Sequence, residues 1–228
     1  RPFVQDIGQA DPASILYAIL GGIIFNAANI LLVAAIAIAG MSVAFPVGIG
    51  LALVIGVIVN YVATPLGNPL ILFTGVALVV VAIITDAVIY KRLPGQVKGL
   101  TTKGLVLSIA CGILMGFFYR FVAQSMSADF VNMEPGKLSP YSAVFFLAVG
   151  LLASNLVLNT LIMKKPFVGS PVTMGDYFQG GIRVHTVGIL GGAIWCVGTS
   201  LSIIASGQAG YAISYGLGQG ATLVAALW

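Results

Sequence analysis

Seven stretches of about 20 mostly apolar residues fill most of the chain, near 14–39, 42–62, 69–90, 104–126, 140–162, 186–206 and 209–228. Each is long enough to carry an α-helix across about 30 Å of hydrocarbon. Turn-forming residues fall between them: Ala39-Gly40-Met41-Ser42, Pro65-Leu66-Gly67-Asn68-Pro69 and Ser206-Gly207-Gln208. A chain patterned in this way reads as an all-α polytopic membrane protein. Composition leaves no other solvent, since 59% of the residues are hydrophobic, only 7% are charged and the mean hydropathy is +1.09. Soluble domains carry about a quarter charged residues. The same scarcity of charge excludes disordered and nucleic-acid-binding readings. Cys111 and Cys196 lie inside apolar runs and specify neither a disulfide framework nor a zinc site.

The few charges set an orientation. Lys91, Arg92, Lys98 and Lys103 follow the third span, and Lys164, Lys165 and Arg183 follow the fifth. Positive residues in short loops mark the cytoplasmic side, and two spans separate these loops, so both fall inside. Asp6, Asp11, Asp129, Glu134 and Lys137 then lie outside, and the first span runs inward. The segment Gly95-Gln96-Val97-Lys98-Gly99-Leu100-Thr101-Thr102-Lys103 has phosphate-loop residue types without the G-x-x-x-x-G-K-[ST] spacing. No ATP-binding element is visible.

Shifting the chain by 170 residues aligns 18–57 on 188–227 without a gap, with thirteen of forty positions identical. Ile19-Leu20-Gly21-Gly22 falls on Ile189-Leu190-Gly191-Gly192, Ala39-Gly40 on Ala209-Gly210, and Gly48-x-Gly50 on Gly218-x-Gly220. The shift pairs the first span with the sixth, so the repeating unit holds an odd number of helices and inserts upside down. Inverted repeats of this kind are a hallmark of secondary transporters. With five helices per unit, residues 1–90 are the last three helices of a first repeat, 91–103 is a basic cytoplasmic joint, and 104–228 are the first four helices of a second. The chain begins at Arg1 and stops inside an apolar run at Trp228. It is therefore expected to be seven spans of a ten-helix 5+5 protein.

These residues resemble a known family. The signatures Gly21-Gly22-Ile23-Ile24-Phe25-Asn26-Ala27-Ala28-Asn29 and Ala44-Phe45-Pro46-Val47-Gly48-Ile49-Gly50-Leu51-Ala52-Leu53 are similar to those of the drug/metabolite transporter superfamily. Within it, Ile213-Ser214-Tyr215-Gly216-Leu217-Gly218-Gln219-Gly220 and Gly169-Ser170-Pro171-Val172-Thr173-Met174-Gly175-Asp176-Tyr177 resemble the ureide permease branch, close to the glucose/ribose uptake proteins. The resemblance implies a ten-helix carrier of small polar metabolites, with allantoin-like ureides or sugars as substrates. It assigns no binding residue.

Candidate binding residues come from polar groups at membrane depth, which need partners or water there. Asn26 and Asn29 lie three apart on one helix face, and Asn155 and Asn159 lie four apart on another. Cys196 and Thr199 are the repeat equivalents of the first pair, with Trp195 beside them, and Tyr215 and Gln219 follow in the last span. Amide side chains both donate and accept, which suits a neutral ligand such as a ureide, nucleobase or sugar. The competing role for these amides is to link helices, at about 0.6 kcal/mol each. Trp195 and Tyr215 serve equally as packing or as stacking platforms. The glycines at 21, 22, 48, 50, 191, 192, 218 and 220 are expected to permit close helix crossing. Pro46 either kinks its helix or breaks it and frees carbonyls. Asp86, Arg120 and His185 are candidates for ion coupling or gating, set against interfacial placement and snorkelling.

The function these features predict is a secondary, non-ATP transporter of ureide- or nucleobase-like metabolites working by alternating access. A sugar uptake carrier and a channel are the alternatives. A retinal protein would need a lysine in the last span, and an intramembrane enzyme would need a nucleophile or metal constellation such as H-E-x-x-H or G-x-S-x-G. No catalytic residue, metal or cofactor is expected. The expected partners are a small polar substrate and the lipid of the plasma (inner) membrane, with a coupling proton or sodium ion, against no coupling, and a second copy in a homodimer as open alternatives.

Overall fold

The computed structural model describes residues 2–92 and 101–226, apart from the side chains of residues 86, 87, 90–92 and 226. Lys98 and most of the expected basic joint lie outside the described residues. In chain order the helices are α1 (Phe3–Gln9), α2 (Pro12–Ala39), α3 (Met41–Ala44), a π-helical turn (Phe45–Ile49), α4 (Gly50–Ala63), α5 (Pro69–Arg92), α6 (Thr102–Ser125), α7 (Pro140–Lys164), α8 (Met174–Phe178), α9 (Ile182–Ala209) and α10 (Tyr211–Ala226). Five segments are long and apolar enough to cross a membrane: Pro12–Ala39, Met41–Ala63, Thr102–Ser125, Pro140–Lys164 and Ile182–Ala209. The other two expected spans are occupied by α5, whose apolar stretch Pro69–Thr85 is shorter, and by the 16-residue α10.

The helix ends follow local chemistry. Thr101 and Ser139 cap α6 and α7 by accepting from the backbone N–H groups of Gly104 and Ser142, which supplies partners for otherwise orphaned donors. Pro12 and Pro140 stand in first turns, where a missing N–H costs nothing. Gly40 and Gly210, 170 residues apart, end α2 and α9 with φ of 80° and 85°. Only glycine takes that conformation without strain. Both helices contain 28 residues. Pro46 does not break its helix. The chain absorbs the missing donor by widening into the π-helical turn Phe45–Ile49 and then continues as α4.

At the centre, α6 packs against α2 on one side and α4 on the other. α7 lies on α2, α10 lies on α4, α9 touches α10 and α7, and α5 sits at the edge against α4. Apolar periodicity alone does not set these contacts, because lipid tails are as apolar as a helix interior. Small residues do much of it. A Cβ placed on Gly22 would collide with the carbonyl oxygen of Leu147, and one on Gly150 with that of Ile19. The backbones of α2 and α7 therefore touch through reciprocal glycine notches. Gly21, Gly48 and Gly50 likewise face close neighbours, at 2.7 Å from Val122, 3.4 Å from the Ser108 carbonyl and 2.5 Å from Ile83. The expectation of close crossing fails for their repeat equivalents. No atom lies within 4 Å of a Cβ built on Gly191 or Gly192, and Gly218 and Gly220 make only ordinary contacts. The reason is positional: this face of α9 has no helix against it among the described residues.

The charges sort to the two ends. The Lys103 ammonium donates to the Phe167 carbonyl at 2.6 Å, which ties the start of α6 to the segment after α7. At the other end the Asp11 N–H donates to the Gly136 carbonyl at 2.8 Å, and the Ser139 N–H donates to the buried Asp6 carboxylate at 2.9 Å. Gln9 bonds both Gly136 and Lys137. The Tyr211 hydroxyl donates to the Ser127 carbonyl at 3.0 Å and anchors the start of α10 to the same cap. Lys103, Lys164 and Lys165 thus share one end of the bundle, while Asp6, Asp11 and Asp129 share the other.

Candidate functional site

The residues expected to form one central site divide between two cavities. Asn26, Asn29, Asn155 and Asn159 line the first, of about 600 Å³, between α2 and α7. The glycine notches hold these two helices at contact distance higher up, and beyond them the helices open toward the basic end. There the connection after α7 and the short helix α8 line the cavity's mouth with Phe167, Val172, Asp176 and Tyr177. The walls between the amides are apolar, chiefly Ile30, Val33, Ala37 and Ile162. A cavity of this size with a few convergent polar groups suits a small ligand.

The four amides are not equivalent. Asn26 is buried, and its side-chain nitrogen donates to the Ser154 hydroxyl at 3.1 Å. It links α2 to α7, as the competing reading of the sequence allowed. Asn29 is exposed and Asn155 and Asn159 are half-buried; none of the three side chains takes part in a hydrogen bond among the described residues. Their donors and acceptors remain available to a ligand.

Trp195, Thr199, Tyr215 and Gln219 line the second cavity, of about 410 Å³, between α6, α9 and α10. Tyr215 is almost fully buried, and its hydroxyl lies 2.8 Å from the Met115 carbonyl and 3.2 Å from that of Ala52. That hydroxyl is committed to joining α10 with α6 and α4, so Tyr215 presents ring rather than hydroxyl. Tyr119, Ser202 and Thr222 also line this cavity. Sequence reasoning missed Tyr119 because one phenol in an apolar helix carries no spacing signal. Phe25 was missed for the same reason.

The coupling candidates are scattered. His185 stands near the basic end of α9, edge to face with Tyr177 at 5.0 Å, and so adjoins the mouth of the first cavity. Arg120 is half-buried in the last third of α6, within electrostatic reach of Tyr211. Asp86 belongs to α5, and its side chain lies outside the described residues. Cys111 is buried and Cys196 exposed, and both are free.

Asp176 is the carboxylate that the first cavity does contain. It closes a capping box at α8, accepting from the Thr173 N–H at 2.7 Å and the Thr173 hydroxyl at 2.8 Å. The Thr173 backbone donor, helped by the hydroxyl, holds its pKa below the ordinary value. A depressed carboxylate contributes fully above its unfolded pKa and loses that contribution only as pH falls through the folded one. Asp176 therefore stays ionised from about pH 5 to 8, above both values. A pH dependence of uptake in that window is expected to survive Asp176→Asn, measured as a full uptake–pH profile. A displaced profile would make Asp176 the titrating group.

Two comparisons bear on identity. Residues 1–96 match the ureide permease family. The chain is also similar to Ureide permease 3 of Arabidopsis thaliana, at 23% identity over 93% of this chain and 70% of that protein. No solved structure matches. With five membrane-length helices among the described residues, the chain is an integral multi-pass membrane protein that is similar to a ureide permease.

Proposed function

We propose that the protein is a secondary carrier of ureide-like metabolites, working by alternating access of two inverted repeats. The observation that carries the substrate class is the first cavity, where Asn29, Asn155 and Asn159 bring uncommitted amides to a largely apolar chamber whose one carboxylate, Asp176, is engaged by Thr173. Ureides alternate N–H and C=O groups, and a primary amide presents the complementary donor and acceptor in one plane. An anionic substrate finds no fixed counter-charge among the residues lining this cavity.

The repeat reading is supported by the shared length of α2 and α9 and by their identical glycine ends at the 170-residue shift. On it, residues 1–90 and 104–228 are parts of two five-helix units, and the full carrier has ten spans. Energy then comes from a proton or sodium gradient.

The test is uptake and counterflow by the full-length protein in proteoliposomes, with labelled allantoin, uracil, glucose and ribose, with and without an imposed gradient. Saturable allantoin uptake with counterflow is expected. Uptake of glucose or ribose alone would replace the ureide assignment with the sugar one, and unsaturable flux without counterflow would indicate a channel.

A further inference from the structure

The repeat and the two cavities meet at one pair of rings. Phe25 stands fourteenth in α2, which begins at Pro12, and Trp195 stands fourteenth in α9, which begins at Ile182. The 170-residue shift carries one onto the other. In the folded chain these equivalent residues stack on each other, with ring centroids 4.5 Å apart and planes 28° from parallel. Two groups related by a two-fold rotation touch only where the axis passes between them. On the repeat reading, the contact marks the axis relating α2 to α9, at mid-length of both helices.

The same rings adjoin both cavities. Asn26, beside Phe25 in the chain, lines the first cavity, and Trp195 lines the second. Phe118 completes the partition: it meets Phe25 edge-on at 5.0 Å and also lines the second cavity. The cavities share no lining residue. Beyond the rings the surroundings are polar again, with Thr199, Ser202, Gln219 and Thr222. The buried Tyr119 hydroxyl lies beside the hydroxyls of Ser206 and Ser202, and Ser202 donates to the Ser214 carbonyl at 3.2 Å. Polar groups at membrane depth need protein partners, water or a polar ligand, and neither Thr199 nor Gln219 has a side-chain hydrogen bond among the described residues. A chamber of this lining is a place for the solute.

We propose that the Phe25–Trp195 stack is the gate of the transport route, closed in this structure, and that the polar solute crosses between the asparagine cavity and the second cavity when the rings part. The inference rests on the carrier reading. An aromatic pair is a suitable latch, since it blocks a large cross-section and is held by ring contact rather than by a hydrogen bond. Because the two rings are repeat equivalents, the same contact serves both directions of movement.

Accessibility tests the gate without any substrate, so a wrong substrate assignment leaves the result unaffected. Single cysteines, Asn159→Cys or Gln219→Cys, are placed in full-length protein carrying Cys196→Ser and reconstituted in vesicles. A membrane-impermeant maleimide is then added to one side at a time. Asn159→Cys is expected to react from one side, and Gln219→Cys to be protected from that side. Adding Trp195→Ala is expected to raise labelling of Gln219→Cys from that side about tenfold, equivalent to about 1.4 kcal/mol of lost ring contact. Trp195→Phe, which keeps a ring in place, is expected to leave it protected. Phe25→Ala supplies the same opening from the opposite ring where the Trp195 variant fails to fold. Equal reactivity with both rings intact, or no gain when either is removed, would overturn the gate.

Discussion

Gly22→Ala is expected to leave little folded protein in the membrane, although it adds one methyl group. That methyl would land on the Leu147 carbonyl oxygen and 2.7 Å from the Leu151 nitrogen, both parts of a rigid backbone. α2 and α7 could accommodate it only by moving apart, which also separates the Gly150 notch from Ile19. Overpacking of this kind costs about 1–3 kcal/mol and more where backbone must shift, a large fraction of an ordinary folding free energy. The measurement is monodisperse yield and melting temperature of detergent-purified full-length protein. Gly150→Ala is expected to do the same through the reciprocal contact, and the double variant to cost less than the sum, since one separation relieves both clashes. Gly75→Ala is the control, because a Cβ there has nothing within 4 Å. A wild-type melting temperature for Gly22→Ala would refute the notch.

The second large effect is on transport, and it divides the asparagines. Asn155→Ala with Asn159→Ala is expected to raise the KM for allantoin by about 10- to 100-fold, at about 0.5–1.5 kcal/mol for each hydrogen bond removed. The melting temperature should stay near that of the wild type, because neither side chain bonds to the described protein. Asn29→Ala belongs with this pair. Asn26→Ala is expected to behave in the opposite way, lowering stability more than affinity. Its amide is spent on Ser154, itself buried against the Leu151 carbonyl. Binding measured by isothermal titration beside a melting curve separates the two classes. Equal loss of stability in all four variants would make the cavity amides helix links and remove them from the site.

Much of this arrangement could be read along the chain. The four asparagines were grouped by spacings of three and four, and each pair does reach the same cavity. The 170-residue shift paired Gly40 with Gly210, and both glycines end their helices, although α9, at Ile182–Ala209, is longer than the span expected at 186–206. What it did not anticipate is that Asn26 and Trp195 face different chambers, since a repeat identifies equivalent residues without saying which of them touch. Phe25 drew no attention, being one more apolar residue in an apolar helix, until its equivalent was found stacked upon it. Pro46 left two outcomes open, and a Cβ placed on Gly112 would come within 2.8 Å of the Gly48 carbonyl oxygen, which puts the resulting π-helical turn against α6 within the bundle.

The sequence by itself determined the helices, their ends and the sorting of charge to opposite ends of the bundle. These are settled within each segment: backbone hydrogen bonds in hydrocarbon must close locally, caps act over three residues, and charge cannot sit far from water. Only the tertiary structure decided which face of each helix turns inward. In water an apolar stripe announces the buried face, but here the outside is as apolar as the inside. The choice passes to contacts between residues more than a hundred positions apart, such as Gly22 against Gly150, Asn26 against Ser154 and Phe25 against Trp195. Their shapes fit only once the chain has folded.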